Sequence, residues 1–329
     1  MKIKNYNNIN EVSEFKHFNN MGEAIFSHNS DEFGGTETVS RYFHNNFFEK
    51  LPKLKNYLCL VLPGYVPDDI LEYPNKIILW MHNTVDQFPL ESQKTLQELR
   101  IKNKIEHIIT VSEFHKEIVS NFLKFPKEKI SVVNNILVPL NFNNEKFINF
   151  KKIKIVHTSD PSRGMFTLIK SLQYIDEDFD LEIYNVFDPE LDVDHNSNFF
   201  KLCNDERITF FGKTPKKVVM KALEESHIHA YPSNFIETFC LSQVEAMSAG
   251  LLCVYPKIGS LTEVSNGFGI SYDFPLGQDH SLIFSEKLKE AIKIVKNNFY
   301  DPKDQVNLIN KKYSHDQIYS QWLEFHKKI

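Results

Sequence analysis

Three things are scarce in this 329-residue chain, and each closes off a class of function. Cysteine is the first. Cys59, Cys203, Cys240 and Cys253 are scattered without metal-ligand spacing, so they define neither a disulfide framework nor a zinc site. Three of them stand among apolar neighbours, which is how buried free thiols of a reducing compartment look. Long apolar runs are the second. No stretch reaches the ~18 residues of a membrane helix, and the opening segment MKIKNYNNINEV has no signal-peptide core. The expected location is the cytoplasm, with no strong membrane signal. Basic excess is the third. The formal net charge is −5 and neither half of the chain gathers lysine or arginine into a patch. Nucleic acid and anionic surfaces are poor partners for such a chain.

What is present is an ordinary soluble composition, 42% hydrophobic and 25% charged. The length exceeds what one core usually holds, so two domains are expected. Residues 1–20 are polar and Asn-rich and read as an extension. From there, apolar runs alternate with helical periods. Strands are expected at Ala24–Ser27, Tyr57–Leu62, Lys76–Met81, His107–Val111 and Lys129–Leu137, with helices between them. The polar stretch VPLNFNNEKFINFKK interrupts this pattern, and a second alternation begins at Ile153. The expected division is a first domain over 1–140, a linker over 141–152 and a second domain over 153–310. A closing helix covers 311–329. Near-continuous apolar strands alternating with helices make an α/β protein with parallel sheets.

The stretch Tyr231–Gly250, YPSNFIETFCLSQVEAMSAG, concentrates the chemistry. A strand ends at Tyr231, Pro232 and Ser233 turn the chain, and Glu237 stands just ahead of a helix. Cys240, Val244, Met247 and Leu251 recur as one buried helical stripe. Glu245 lies beside it, eight residues after Glu237. A helical rise would separate the two carboxylates by up to ~12 Å, with free helix-start amides between them for a diphosphate.

This stretch resembles the donor site of retaining GT-B glycosyltransferases, particularly glycosyltransferase family 4. That family carries two glutamates with seven residues between them, then an Ala-Met-x-x-Gly helix end. The resemblance implies two Rossmann-like, doubly wound domains facing across a cleft. It implies transfer of a sugar from a UDP- or GDP-sugar donor to a hydroxyl of a glycan, lipid-linked or small-molecule acceptor. It gives Glu237 the donor sugar and Glu245 the ribose, with Thr238, Phe239, Cys240 and Leu241 lining the donor. The family commonly has Gly-Phe-Gly where this chain has Thr238-Phe239-Cys240, a change that narrows the sugar pocket. Arg163-Gly164 stands where the family has a basic residue and glycine opening a helix, with the cation on the donor phosphates. A second family arginine falls at Thr158-Ser159 here, and Lys213 is the candidate to replace it. Gly34-Gly35 resembles the family's loop beneath the diphosphate. His82, at the end of a parallel strand, resembles a histidine placed near acceptor and sugar. Gly259–Glu263 resembles a loop that closes over the donor, and Trp322 and Phe325 are placed to return the last helix to the first domain.

Each of these has a plainer alternative: a solvated loop cation, a strand-to-helix turn, a satisfied structural histidine. Two other readings of the whole are a non-catalytic GT-B partner subunit and a nucleotide-sugar epimerase. No cofactor and no metal are expected. Asp192-Val193-Asp194 looks like a metal-binding Asp-x-Asp motif, but Asp194 also suits the N-cap of a weak helix. His227 and His229 share one strand face without a third ligand nearby.

Overall fold

The computed structural model describes residues 35–62, 64–66, 68–184, 202–211 and 214–329. The strand expected at 24–27, Gly34, Lys213, Asp192 and Asp194 lie outside the described residues. The chain divides into two compact units. One is Met1–Ile136 with Tyr313–Ile329, and the other is Leu137–Lys312.

The first unit holds a four-stranded parallel sheet in the order β1 (Leu58–Leu62), β2 (Ile77–Met81), β3 (Ile105–Thr110), β4 (Ile130–Val132). β1 and β2 are buried along their whole length, as strands covered on both faces must be. Helices α1 (Gly35–Asn46), α2 (Leu90–Ile101) and α3 (Glu113–Leu123) belong to this unit. Ser112 caps α3 by accepting a hydrogen bond from the His115 amide. The last helix, α10 (His315–Lys328), completes the same core. Its Trp322 stands edge-on to Trp80 with ring centroids 4.9 Å apart, and meets Phe43 at 4.1 Å. Gln321 holds Asn134 through two hydrogen bonds of 2.8 and 3.0 Å. Burying Trp322 and Phe325 contributes roughly 1.5–3 kcal/mol each.

The second unit is a six-stranded parallel sheet in the order β10-β9-β8-β5-β6-β7. The strands are β5 (Ile153–His157), β6 (Phe179–Ile183), β7 (Ile208–Phe210), β8 (Ile228–Ala230), β9 (Leu252–Lys257) and β10 (Ile270–Asp273). Winding proceeds from β5 outward through β6 to β7, then resumes on the other side with β8. This is a doubly wound Rossmann order, and its switch point lies between β5 and β8. The helices are α4 (Met165–Ser171), α5 (Lys216–Glu225), α6 (Leu241–Ser248), α7 (Leu261–Ser265), α8 (His280–Lys296) and α9 (Lys303–Lys312). In the first unit the described strands run in chain order without such a reversal.

The segment expected as a free linker is instead part of the second unit. Phe147 is buried in its core. The Lys146 ammonium donates to the carbonyls of Glu224 at 3.1 Å and Ala249 at 2.8 Å, where it closes the ends of α5 and α6. A cation at two helix C-termini is favoured by both dipoles. His227, read as half of a metal spacing, donates to the Lys146 carbonyl and accepts from the Lys154 amide. One apolar anchor and these polar contacts outweigh the polar composition that suggested a loose connection.

Candidate active site

In a doubly wound sheet, ligands bind beyond the carboxyl ends of the strands where the winding reverses. Here the loops after β5 and β8 meet at that place. After β5, Asp160 accepts from the Ser162 amide and starts a single 3₁₀ turn, Pro161–Arg163, which Gly164 ends at φ +98°. A Cβ on Gly164 would stand 2.1 Å from the Pro232 carbonyl oxygen, so only glycine lets this loop lie against the one after β8. The contact brings Arg163 to Glu237. Its Nε donates to Glu237 Oε1 at 2.9 Å, and its guanidinium lies 3.3 Å over the Phe235 ring.

Glu237 is held from three sides. The Tyr231 hydroxyl donates to the same Oε1 at 2.7 Å. Its backbone carbonyl accepts from the Ser260 amide at 2.8 Å. Gly259, at φ +58°, has room for no Cβ, which would fall 2.4 Å from that carbonyl oxygen. The residue is 9% exposed, and burial pushes its carboxyl pKa above the usual carboxylate range against the pull of Arg163 and Tyr231.

Thr238, Phe239 and Cys240 are buried, and Leu241 opens α6. Cys240 sits at φ +60°, a left-handed conformation that glycine adopts freely and a side chain does not. Burial pushes its thiol up to about 12, so it is no nucleophile at neutral pH. α6 is buried from Gln243 to Ser248. Glu245, 9% exposed, receives the Lys216 ammonium at 2.6 Å on each carboxylate oxygen. Lys216 is the first residue of α5.

The helical spacing expected for the two glutamates is corrected by this geometry. α6 begins at Leu241, and Glu237 precedes it in a loop folded by the Ser233 side chain and the Gly259 turn. The rise of a helix therefore does not measure their separation. Of the expected site residues, Arg163 and Glu237 are in contact, and Thr238 through Leu241 lead from Glu237 into the helix of Glu245. Gly35 starts α1 and His82 follows β2, both in the first unit. His82 is buried, and burial lowers its imidazole to about 3.

Tyr231 and Lys216 were not singled out from sequence. Tyr231 read as the end of a strand. A hydroxyl at the carboxyl end of a parallel strand was the available signal. Nothing local marked Lys216, whose partner lies 29 positions away. Among the described residues no group of three or more His, Cys, Asp and Glu side chains is placed to hold a metal ion. No helix among them is long and apolar enough to cross a membrane.

Two parallel α/β units, one carrying buried carboxylates and an arginine at its switch point, define the GT-B architecture. The family model described as glycosyl transferases group 1 matches residues 141–283, within the second unit. No curated protein sequence matches the chain. Among solved structures it is similar to sucrose-phosphate synthase from Thermosynechococcus elongatus, at 14% identity and TM-score 0.65 over 89% of this chain and 78% of that one. It is similar to HepE of Anabaena in complex with UDP-glucose, at 16% identity and TM-score 0.61 over 77% and 72%. A glycosyltransferase from Rickettsia africae aligns at 15% identity and TM-score 0.59 over 89% and 93%. These likenesses establish the fold.

Proposed function

We propose that this chain is a retaining glycosyltransferase that moves a sugar from a nucleoside-diphosphate donor to an acceptor hydroxyl. The observation that carries the reading is the joined Arg163–Glu237 pair at the switch point, followed by a helix bearing Glu245. Glu245 accepts the ribose hydroxyls. Arg163 and the first amides of α6 face the diphosphate, since two of the five guanidinium N–H donors are engaged by Glu237 and Ser162. Glu237 accepts from a sugar hydroxyl and puts negative charge beside the anomeric carbon.

As the bond from C1 to the phosphate oxygen breaks, positive charge develops on the sugar ring and negative charge on the leaving phosphate. Glu237 stabilises the first and Arg163 the second. The leaving phosphate takes the acceptor's proton while the acceptor oxygen bonds to C1 on the same face. No protein nucleophile and no metal take part, and catalysis is charge stabilisation and positioning. HepE was solved with UDP-glucose and a pneumococcal O-GlcNAc transferase, GtfA, with UDP and GlcNAc, which favours a uridine donor here.

Glu245→Ala tests the ribose assignment. Losing charged hydrogen bonds should weaken UDP binding by roughly 1–3 kcal/mol. Lys216 is 40% exposed and remains solvated, so the melting temperature should move little. Calorimetry with UDP and GDP measures the change. Unchanged affinity for the nucleotide that binds wild type would remove Glu245 from the site.

A further inference from the structure

We infer that Tyr231 is a positioning residue of this site, fixing which oxygen of Glu237 is left for the donor sugar and holding the group as a carboxylate. The inference rests on the glycosyltransferase reading for its consequence, but its evidence is the local geometry. Among the described residues the side-chain hydrogen bonds to Glu237, from Tyr231 at 2.7 Å and Arg163 at 2.9 Å, both fall on Oε1. Oε2 takes neither. A carboxylate with one oxygen saturated presents the other in a fixed direction, which a sugar hydroxyl needs.

Tyr231 is itself immobilised. It follows β8, is 1% exposed, and stacks on His157 at 5.9 Å and on His229 at 5.4 Å. Its oxygen also lies 3.5 Å from Ser159 Oγ. The charged and titratable groups around Glu237 are few. Arg163 comes from the loop after β5, Tyr231 from β8 and Cys240 from the start of α6, while the Gly259–Ser260 turn offers backbone only. Burial keeps the phenol protonated, so it acts as a donor, and lowers His157 to about 4 and His229 to about 3, so both rings are neutral. Among the described residues Arg163 is the cation acting on Glu237, and Tyr231 supplies a second side-chain hydrogen bond. Burial works against the charged carboxylate, and the phenol's hydrogen bond opposes it.

Removing that hydroxyl should let Glu237 titrate higher still. The test is a ¹³C NMR titration of the ligand-free full chain labelled at glutamate, with the Glu237 signal assigned through Glu237→Gln. In Tyr231→Phe the Glu237 midpoint should rise measurably while the melting temperature stays within a few degrees. The acid limb of the kcat/KM profile should move up with it. An unchanged midpoint would overturn the inference. Should Tyr231→Phe fail to fold, 2,3-difluorotyrosine at this position keeps the shape with a more acidic phenol. The midpoint should then move down, and a fixed midpoint again overturns the inference. Because no donor enters the titration, a chain that turned over no nucleotide-sugar would sink the glycosyltransferase reading separately.

Discussion

Glu237→Gln should abolish most sugar transfer while leaving the protein folded. Glutamine keeps an oxygen for Tyr231 and Arg163, so what is lost is the charge. Removing one preorganised electrostatic group from an enzyme site costs on the order of 10²–10³ in kcat, and a carboxylate beside a cationic transition state belongs in that range. UDP affinity should change only a few-fold, because the assigned ribose and phosphate contacts are elsewhere. The stability effect has the opposite sign to the usual mutation. Burial raises the Glu237 pKa in the folded protein, so the folded state binds the proton more tightly than the unfolded chain. Stability from this group is lost as pH rises through the usual carboxylate range. At neutral pH the buried carboxylate is a cost, and the variant should melt no lower than wild type. Transfer within a few-fold of wild type would remove Glu237 from the chemistry.

Acidification should begin to destabilise this protein below about pH 6.5, before its carboxylates titrate. Six histidines are buried among the described residues, among them His82 and His115 in the first unit and His157 and His229 in the second. Burial lowers these four to about 3, 4, 4 and 3 respectively. Within each pair the rings are close enough to oppose one another's protonation. His115 donates through Nε2 to the Asn83 carbonyl at 3.0 Å, and His157 through Nδ1 to the Ala230 carbonyl at 2.9 Å. Among the described residues neither nitrogen of His229 has a hydrogen-bond partner.

A depressed folded-state pKa means that the unfolded chain binds the proton first. The stability is complete above about pH 6.5 and is lost as pH falls toward the folded values. At pH 5 each histidine costs roughly 2 kcal/mol, hence roughly 4 kcal/mol per unit. Domain stabilities are ~5–15 kcal/mol. Calorimetry should show the unfolding transitions falling by about 10 °C or more between pH 7.5 and 5. His229→Leu should flatten the slope of the second unit. Equal melting temperatures at the two pH values would contradict the burial account.

Much of this was readable beforehand, for reasons that can be named. Apolar runs such as Tyr57–Leu62 and Lys76–Met81 read as doubly covered strands, and the alternation that restarts at Ile153 led to two parallel α/β units. A parallel strand delivers its following loop to one edge of the sheet. The resemblance assigned residues as distant as Arg163 and Glu237 to one site, and this strand geometry is how the fold brings them into contact. Cys240 stands where the resembled family has glycine, and it adopts the backbone conformation that a glycine would.

The misses have physical causes too. Phe147 sits in a polar stretch, and one aromatic ring in a core is enough to make a linker part of a domain. Glu237 stands just ahead of the helix, as its sequence suggests, but the helical rise cannot measure its distance from Glu245 because α6 begins only at Leu241. The turn at Gly259 fixes its carbonyl and keeps it in a loop. The hydroxyl of Tyr231 and the ammonium of Lys216 act through contacts set by chain reversal and by packing between two helices. Periodicity does not encode such contacts.

The most direct test of the account is a ¹H NMR time course of the purified chain with a panel of α-linked UDP-, GDP- and ADP-sugars and simple hydroxyl acceptors. It reads both turnover and the anomeric configuration of the product. The account predicts release of nucleoside diphosphate from one class of donor, with the new anomeric proton showing the small coupling of a retained α-linkage. A β-configured first product, or no release from any donor, would contradict it.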